Sequence, residues 1–183
     1  MKGRSQTLAV RSKARDLTLM PPILIGVISD THGLLRPEAV EALRGSEHII
    51  HAGDVGSPQI LDELSALAPL TVVRGNIDKG DWARKLPEIQ VLEFGGISIY
   101  VLHDLAQLDL KPKAAGFASV VSGHSHIPKQ ETRDRVLYFN PGSAGPRRFK
   151  LPVTVGRLTI VSGKVVPEIL HLLENMPVGK PVA

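Results

Sequence analysis

Hydrophobic positions in the first half of the chain predict buried strands that alternate with helices. The first run, residues 23–29, is apolar, β-branched and continuous, as expected for a strand buried on both faces of a sheet. Two further strands are predicted over residues 48–51 and 70–73. Between them, segments 37–43 and 58–67 each begin at a proline, which favours the first helical turn, and Ser57 is the expected N-cap of the second helix. This alternation predicts right-handed parallel βαβ units.

The second half of the chain is richer in strands. Residues 89–94 and 97–102 predict a β-hairpin that turns at Gly95 and Gly96. Four further strands are expected over residues 118–121, 136–139, 153–161 and 165–170. Two packed sheets with outer helices accommodate both halves, so the expected fold class is α/β or α+β.

Composition limits the chemistry that the chain can support. A length of 183 residues favours one domain, expected over residues 21–174 and flanked by tails over 1–20 and 175–183. The absence of cysteine excludes disulfides and thiolate metal sites. Any metal site must therefore use histidine, carboxylate and amide ligands, which suit manganese, iron, zinc, nickel or cobalt.

The net charge of +4 lies in the first twenty residues, which carry five basic residues and one acidic residue. We interpret this segment as a solvated terminus, and a nucleic-acid-binding arm is the alternative. It lacks the continuous apolar stretch of a secretory signal, and no apolar run approaches the ~20 residues that span a membrane. We therefore expect a cytoplasmic protein without a membrane partner.

Five short polar motifs each follow a predicted strand, where open α/β sheets place their ligand sites. They are Asp30-Thr31-His32-Gly33, Gly53-Asp54, Gly75-Asn76-Ile77-Asp78, His103 and Gly123-His124-Ser125-His126. Taken singly, each has an ordinary explanation as a turn, a helix cap or a strand-end histidine. Together they place seven candidate metal ligands at strand ends, which indicates a metal site.

This ordered set of motifs resembles the calcineurin-like metallophosphoesterases, and more narrowly their small bacterial and archaeal phosphodiesterase subgroup. The segment Asn140-Pro141-Gly142-Ser143 also matches that subgroup, and the resemblance covers residues 23–170. It implies the metallophosphoesterase fold, a four-layer sandwich of two mixed β-sheets flanked by helices.

The resemblance also implies a centre of two divalent metal ions, with manganese expected. The ligands implied for the first ion are Asp30, His32 and His126, and those for the second are Asn76, His103 and His124. Asp54 would bridge the two ions. A hydroxide that bridges them would attack the phosphorus of a phosphate ester, expected to be a phosphodiester, and Asp54, Asn76 and His103 would act in catalysis.

One position departs from the broad family, in which many members carry a histidine directly after the asparagine to protonate the leaving group. Here that position is Ile77, as in the small subgroup, which also lacks the histidine. Loss of a general acid typically costs about 10²–10⁴-fold in rate. We therefore expect substrates with good leaving groups, such as aryl esters, nucleotides or activated diesters.

Neighbouring residues are candidates for supporting roles. His51 could orient Asp54 through a hydrogen bond or be an ordinary strand-end histidine, and Asp78 could orient Asn76 or cap the next segment. Four arginines are candidates to bind the substrate phosphate. They are Arg36, Arg74, Arg147 and Arg148, and Arg147 is favoured because Pro146-Arg147 follows the Asn-Pro-Gly-Ser segment as in the subgroup.

Two other functions compete with hydrolysis of a small phosphate ester or nucleotide-like substrate. The first is a binding scaffold, because the retromer scaffold subunit resembles this fold but has a degraded ligand set. This chain keeps every ligand position, which favours catalysis. The second is a small nuclease that holds nucleic acid with its basic arm, and family nucleases are usually larger. The resemblance also makes a homodimer plausible.

Overall fold

The computed structural model describes residues 21–173, which form two five-stranded mixed β-sheets. The strands are β1 (Ile23–Ile28), β2 (His48–His51), β3 (Leu70–Val72), β4 (Ile89–Phe94), β5 (Ile97–Leu102), β6 (Ser119–Val121), β7 (Lys129–Arg133), β8 (Val136–Asn140), β9 (Thr154–Val161) and β10 (Lys164–His171). The helices are α1 (Pro37–Leu43), α2 (Pro58–Ser65) and α3 (Asp81–Arg84).

The first sheet has the strand order β10-β9-β1-β2-β3. Its strands β1, β2 and β3 are parallel, which confirms the predicted βαβ units, and β9 runs antiparallel to both β1 and β10. The second sheet has the order β4-β5-β6-β8-β7, with β5, β6 and β8 parallel and an antiparallel strand at each edge. Every predicted strand and helix occurs, and no bound differs by more than two residues.

Strand β7 was not predicted, because its sequence Lys-Gln-Glu-Thr-Arg has no hydrophobic alternation and four of its five residues are exposed. It lies at the edge of the second sheet and is held by backbone pairing to β8. A second difference concerns Ser57, which has the extended backbone of an N-cap but makes no side-chain capping bond. Its hydroxyl contacts Gln59 instead.

Two hydrophobic clusters hold the first sheet in place. One lies between the sheets and joins residues such as Val27 and Ile50 of the first to Val101 and Phe139 of the second. The other joins the opposite face of the first sheet to Leu43 of α1 and Leu64 of α2. Because both faces of β1 and β2 are buried, these strands hold the loops at their carboxyl ends in position, and these loops can carry functional side chains.

The outer face of the second sheet is covered by the segment that follows β5. Among the described residues, the helical element of this segment is one short 3₁₀ turn, Leu105–Gln107. Leu105, Leu108 and Phe117 of this segment pack on Tyr100 and its neighbours in the sheet. This face is therefore covered mainly by turns and irregular chain, in a segment that begins directly after His103.

The tails expected over residues 1–20 and 175–183 lie outside the described part of the chain. Within residues 21–173, no helix is long and apolar enough to cross a membrane.

Candidate metal centre

The five polar motifs converge at the carboxyl ends of β1, β2, β3, β5 and β6. In the first cluster, His126 Nε2 lies 3.2 Å from Asp30 Oδ1 and 3.1 Å from His32 Nε2. His32 Nε2 is also 3.9 Å from Asp30 Oδ1. Three candidate ligand atoms thus point at one small volume.

A second cluster lies beside the first. Asn76 Oδ1 is 3.1 Å from His103 Nε2 and 2.9 Å from His124 Nδ1. Asp54 stands between the two clusters, with Oδ2 placed 3.8 Å from His32 Nε2 and Oδ1 placed 3.3 Å from His103 Nε2. All seven candidate ligands that the sequence singled out are therefore brought together.

The polar atoms of the first cluster do not satisfy one another, and a bound cation would satisfy them. Asp30 is fully buried, and its Oδ1 accepts no hydrogen bond from the described residues, although His126 Nε2 is close. The Nε2 atoms of His32 and His126 face each other, so two neutral rings can form a hydrogen bond here only if one of them carries its proton on Nε2. An unpaired buried carboxylate oxygen is costly, and a divalent ion at this point would satisfy it.

The backbone of the ligand loops is itself unusual. Five of the seven candidate ligands have positive φ, a conformation that non-glycine residues seldom adopt. They are Asp30, His32, Asp54, His124 and His126, with φ between 47° and 66°. Such strain persists where the surrounding structure enforces it, and it is typical of functional sites.

Two glycines beside these ligands allow the loops to approach one another. A Cβ at Gly75 would lie 2.0 Å from the backbone nitrogen of Asp54, and one at Gly123 would lie 2.8 Å from Asp30 Oδ2. Neither position has room for a side chain. The loops that carry Asn76 and His124 can therefore pack against the two buried aspartates only with glycine at these points.

Asp78 and His51 form hydrogen bonds that hold the loops carrying the candidate ligands. The Asp78 carboxylate accepts hydrogen bonds of 2.8 Å from the backbone amides of Gly56 and Gly75, which ties the Asp54 loop to the Asn76 loop. His51 accepts from Gly53 N at Nδ1, and its Nε2 bonds the Thr31 hydroxyl at 3.0 Å. Its described bonds thus reach the backbone beside Asp54 and not the Asp54 carboxylate, which corrects the expected contact.

Further contacts to the ligand loops come from the segment that begins at the last residue of β8, which the sequence did not assign to any role. The Asn140 amide donates to the Gly123 carbonyl at 2.6 Å and to the Ser125 hydroxyl at 3.2 Å. The Ser143 hydroxyl donates to the Asp30 carbonyl at 2.9 Å. The Asn-Pro-Gly-Ser segment therefore holds the loops of the first cluster, and only its match to the subgroup pointed to it.

For two histidines, an oxygen on the far side of the ring indicates which nitrogen faces the site; His103 forms a hydrogen bond to this oxygen, and His124 only lies near it. His103 Nδ1 is 2.7 Å from the Ala52 carbonyl, which leaves Nε2 towards Asn76 and Asp54. His124 presents Nδ1 to Asn76, and its Nε2 lies 3.9 Å from Asp104 Oδ2. A carbonyl or carboxylate on the far side of the ring is the usual partner of a metal-binding histidine.

The electrostatics of the site favour a neutral His32 and an ionised Asp54. Burial lowers the pKa of His32; the Asp54 carboxylate opposes this shift and the Arg148 guanidinium adds to it. Burial would raise the pKa of Asp54, but hydrogen bonds from His103 and the Ile77 amide outweigh it and lower the pKa. For His103, the bonds to Asp54 and Ala52 outweigh burial and raise the pKa.

The arginines are placed differently from the expectation. Arg147 is exposed and donates to the Leu151 carbonyl, whereas Arg148 Nη2 lies 3.3 Å from His32 Nε2. Arg36 donates to the Gly145 carbonyl, and Arg74 pairs with Glu88. Arg148 is therefore the described arginine that reaches the first cluster, because adjacent residues of a loop project to different sides. Phosphate binding by Arg147 stays a prediction.

The model of the calcineurin-like phosphoesterase superfamily domain matches residues 23–163 of this chain. A probable metallophosphoesterase of Methanothermobacter thermautotrophicus is 37% identical over 161 residues, which cover 81% of this chain and 92% of that protein.

Solved structures share the fold. One described as a novel archaeal phosphodiesterase has 25% sequence identity and a TM-score of 0.68, and the match covers 81% of this chain and 100% of that chain. Vacuolar protein sorting 29 of Cryptosporidium parvum matches with a TM-score of 0.68 over 81% of this chain and 97% of its own, at 17% identity. At that identity the likeness concerns the fold alone.

Proposed function

This chain belongs to the calcineurin-like phosphoesterase superfamily, and from that premise we propose that it is a metal-dependent phosphodiesterase. The observation that carries the proposal is the position of Asp54, a buried carboxylate that offers one oxygen to each of two clusters of histidine, carboxylate and amide ligands. This is the arrangement that a pair of divalent ions sharing one carboxylate requires.

We propose that each cluster holds one divalent ion, manganese by preference, with Asp54 shared between them. The ligand set of the first ion is Asp30, His32 and His126, and that of the second is Asn76, His103 and His124. Bound divalent ions would supply Lewis acidity and a water made nucleophilic at neutral pH. The protein's part is to fix this geometry. The hydrogen bonds that Asn140 and Ser143 donate and the one that the Asp78 carboxylate accepts from the Gly75 amide favour it.

The chain's own residues would then bind and orient the phosphate. Arg148 is the described arginine nearest the first cluster, and a guanidinium forms strong paired hydrogen bonds with phosphoryl oxygens. Ile77 occupies the position after Asn76 and has no proton to give, so the leaving group departs without an acid from this residue. The proposal therefore favours esters whose alcohols are acidic, such as phenols and nucleotide phosphates.

A scaffold without catalysis is the main competing function. The ligand set is complete, and five ligands hold an unfavourable backbone conformation. Strain of this kind typically costs about 1–3 kcal/mol per residue, and a pure scaffold gains nothing from it. These features support hydrolysis over a scaffold role. The homodimer stays a prediction from the sequence.

Hydrolysis of bis-p-nitrophenyl phosphate and p-nitrophenyl phosphate by metal-stripped protein tests the proposal. Turnover should appear on addition of Mn²⁺, should favour the diester, and should be lost in Asp54→Ala but retained in the exposed control Asp62→Ala. A folded protein with no turnover under any divalent ion would reject the proposed activity. A preference for the monoester would instead make it a phosphomonoesterase.

A further inference from the structure

A largely apolar pocket of about 590 Å³ adjoins the second cluster. Leu105, Ile127 and Tyr138 contribute its apolar walls, and Asp104 and His124 lie at its border. The same Asp104 and His124 also line the neighbouring cleft that contains Asn76 and His103. The pocket and the candidate metal centre are therefore separated by these two shared side chains.

The orientation of His124 shows how the two spaces connect. Its Nδ1 faces Asn76 at 2.9 Å, and its Nε2 faces Asp104. Asp104 is itself held by a 2.9 Å hydrogen bond from the Ala106 amide to Oδ1. A substituent on a phosphate bound at the metal centre would therefore reach the pocket by passing His124 and Asp104.

The charges around the pocket disfavour an anionic occupant. The Asp104 carboxylate lies at its border, and the one lysine in its lining, Lys129, is already paired with Glu131 at 2.7 Å. The apolar wall is accessible to a ligand, since the side chain of Ile127, which directly follows His126, is 53% exposed. A neutral group with a flat apolar face fits these walls better than a sugar or a second phosphate.

We propose that this pocket binds the second ester substituent of a phosphodiester substrate and selects neutral aryl or nucleobase-like groups over small alkyl groups. The proposal rests on the phosphodiesterase activity proposed above. The volume lies within the roughly 300–1,000 Å³ of typical small-molecule sites, which leaves room for one such ring system. Ile127, Leu105 and Tyr138 are then specificity-determining residues.

Two diesters with the same leaving group isolate the effect. Methyl p-nitrophenyl phosphate and phenyl p-nitrophenyl phosphate both release p-nitrophenolate and differ only in the second substituent. After correction for their uncatalysed rates, we expect kcat/KM for the phenyl ester to be at least about tenfold higher, the size of effect that apolar pockets give. Equal corrected values in the wild-type protein would overturn the proposal.

Two variants connect the preference to the pocket. In Ile127→Ser the ratio of phenyl to methyl kcat/KM should fall towards one, whereas Ile89→Ser, at a similarly exposed isoleucine (44%) on the distant edge strand β4, should keep the wild-type ratio. Leu105→Trp, which fills the pocket, should also abolish the preference. A wild-type ratio in both pocket variants would contradict the assignment.

A binding measurement separates failure of this inference from failure of the proposed activity. Phenylphosphonate should bind the Mn²⁺-loaded wild-type protein at least about tenfold more tightly than methylphosphonate in calorimetry. Preferential binding without any hydrolysis would retain the pocket and reject the activity. Hydrolysis with equal binding of the two phosphonates would retain the activity and reject the pocket.

Discussion

Asp54 lies between the two ligand clusters, with its Oδ1 placed 3.3 Å from His103 Nε2 and its other carboxylate oxygen facing His32. The hydrogen bond from the Ile77 amide to the same Oδ1, at 3.0 Å, fixes the carboxylate in this orientation. One side chain therefore lies against both clusters. The consequences for substrate binding, loop support and stability can each be tested.

Replacing Arg148 should weaken phosphate binding, whereas replacing its neighbour should not. Hydrogen bonds between ionised groups are worth about 1.5–3 kcal/mol, so Arg148→Ala should raise KM for the diester and the inhibition constant of inorganic phosphate at least about tenfold. Arg147→Ala is the matched control, because within residues 21–173 the Arg147 side chain donates to the Leu151 carbonyl and not to a residue of the first cluster. Steady-state kinetics with phosphate as inhibitor measures both, and equal effects of the two variants would contradict the assignment.

Asn140→Ala should loosen the loop that carries His124 and His126. The variant removes the hydrogen bonds to Gly123 and Ser125 without removing a ligand. Loss of such outer contacts typically costs 10–100-fold in metal affinity, so Mn²⁺ affinity in titration calorimetry should fall by about that factor. Gln130→Ala, at an exposed amide on β7, is the control and should match wild type. Unchanged affinity in Asn140→Ala would show that the loop holds its shape unaided.

His51 should make the metal-free protein less stable in mild acid. Its complete burial lowers its pKa from 6.5 to about 4, so between these values the unfolded chain binds a proton that the folded chain does not. Its contribution to stability is full above pH 6.5 and declines as pH falls towards 4, by up to about 3 kcal/mol.

Urea unfolding at several pH values in the presence of a chelator measures this loss. His51→Gln should show a smaller decline between pH 6.5 and 4 than wild type, and the exposed control His171→Gln should show the wild-type decline. If His51→Gln lost stability with the same pH slope as wild type, the buried histidine would not be the titrating group.

The core strands and the candidate ligands could both be predicted from the sequence, because the ligands directly follow strands that hydrophobic residues identify. Continuous apolar runs locate β1 and β2, and the polar residues directly after them, Asp30 and Asp54, must lie at the sheet edge. Strand β7 was not predicted, because its sequence has no hydrophobic pattern and backbone pairing to β8 defines it.

The parts of the site that could not be predicted depend on backbone direction in loops. Arg147 and Arg148 are neighbours in a loop, and the conformation of that loop alone decides which one faces His32. The positive φ values of ligands such as Asp30 and His126 likewise have no signature in residue type. The apolar pocket joins Leu105 to Tyr138, which are far apart in sequence, so only the fold shows it.

The most direct test of the central claim is the number and proximity of manganese ions bound by the metal-stripped protein, measured by Mn²⁺ titration with electron paramagnetic resonance. Two ions held by the clusters around Asp54 should give saturation at two equivalents and a spin-coupled signal, and Asp54→Ala should lose the coupling. Saturation at one equivalent, or two uncoupled ions in the wild-type protein, would contradict a shared dinuclear centre.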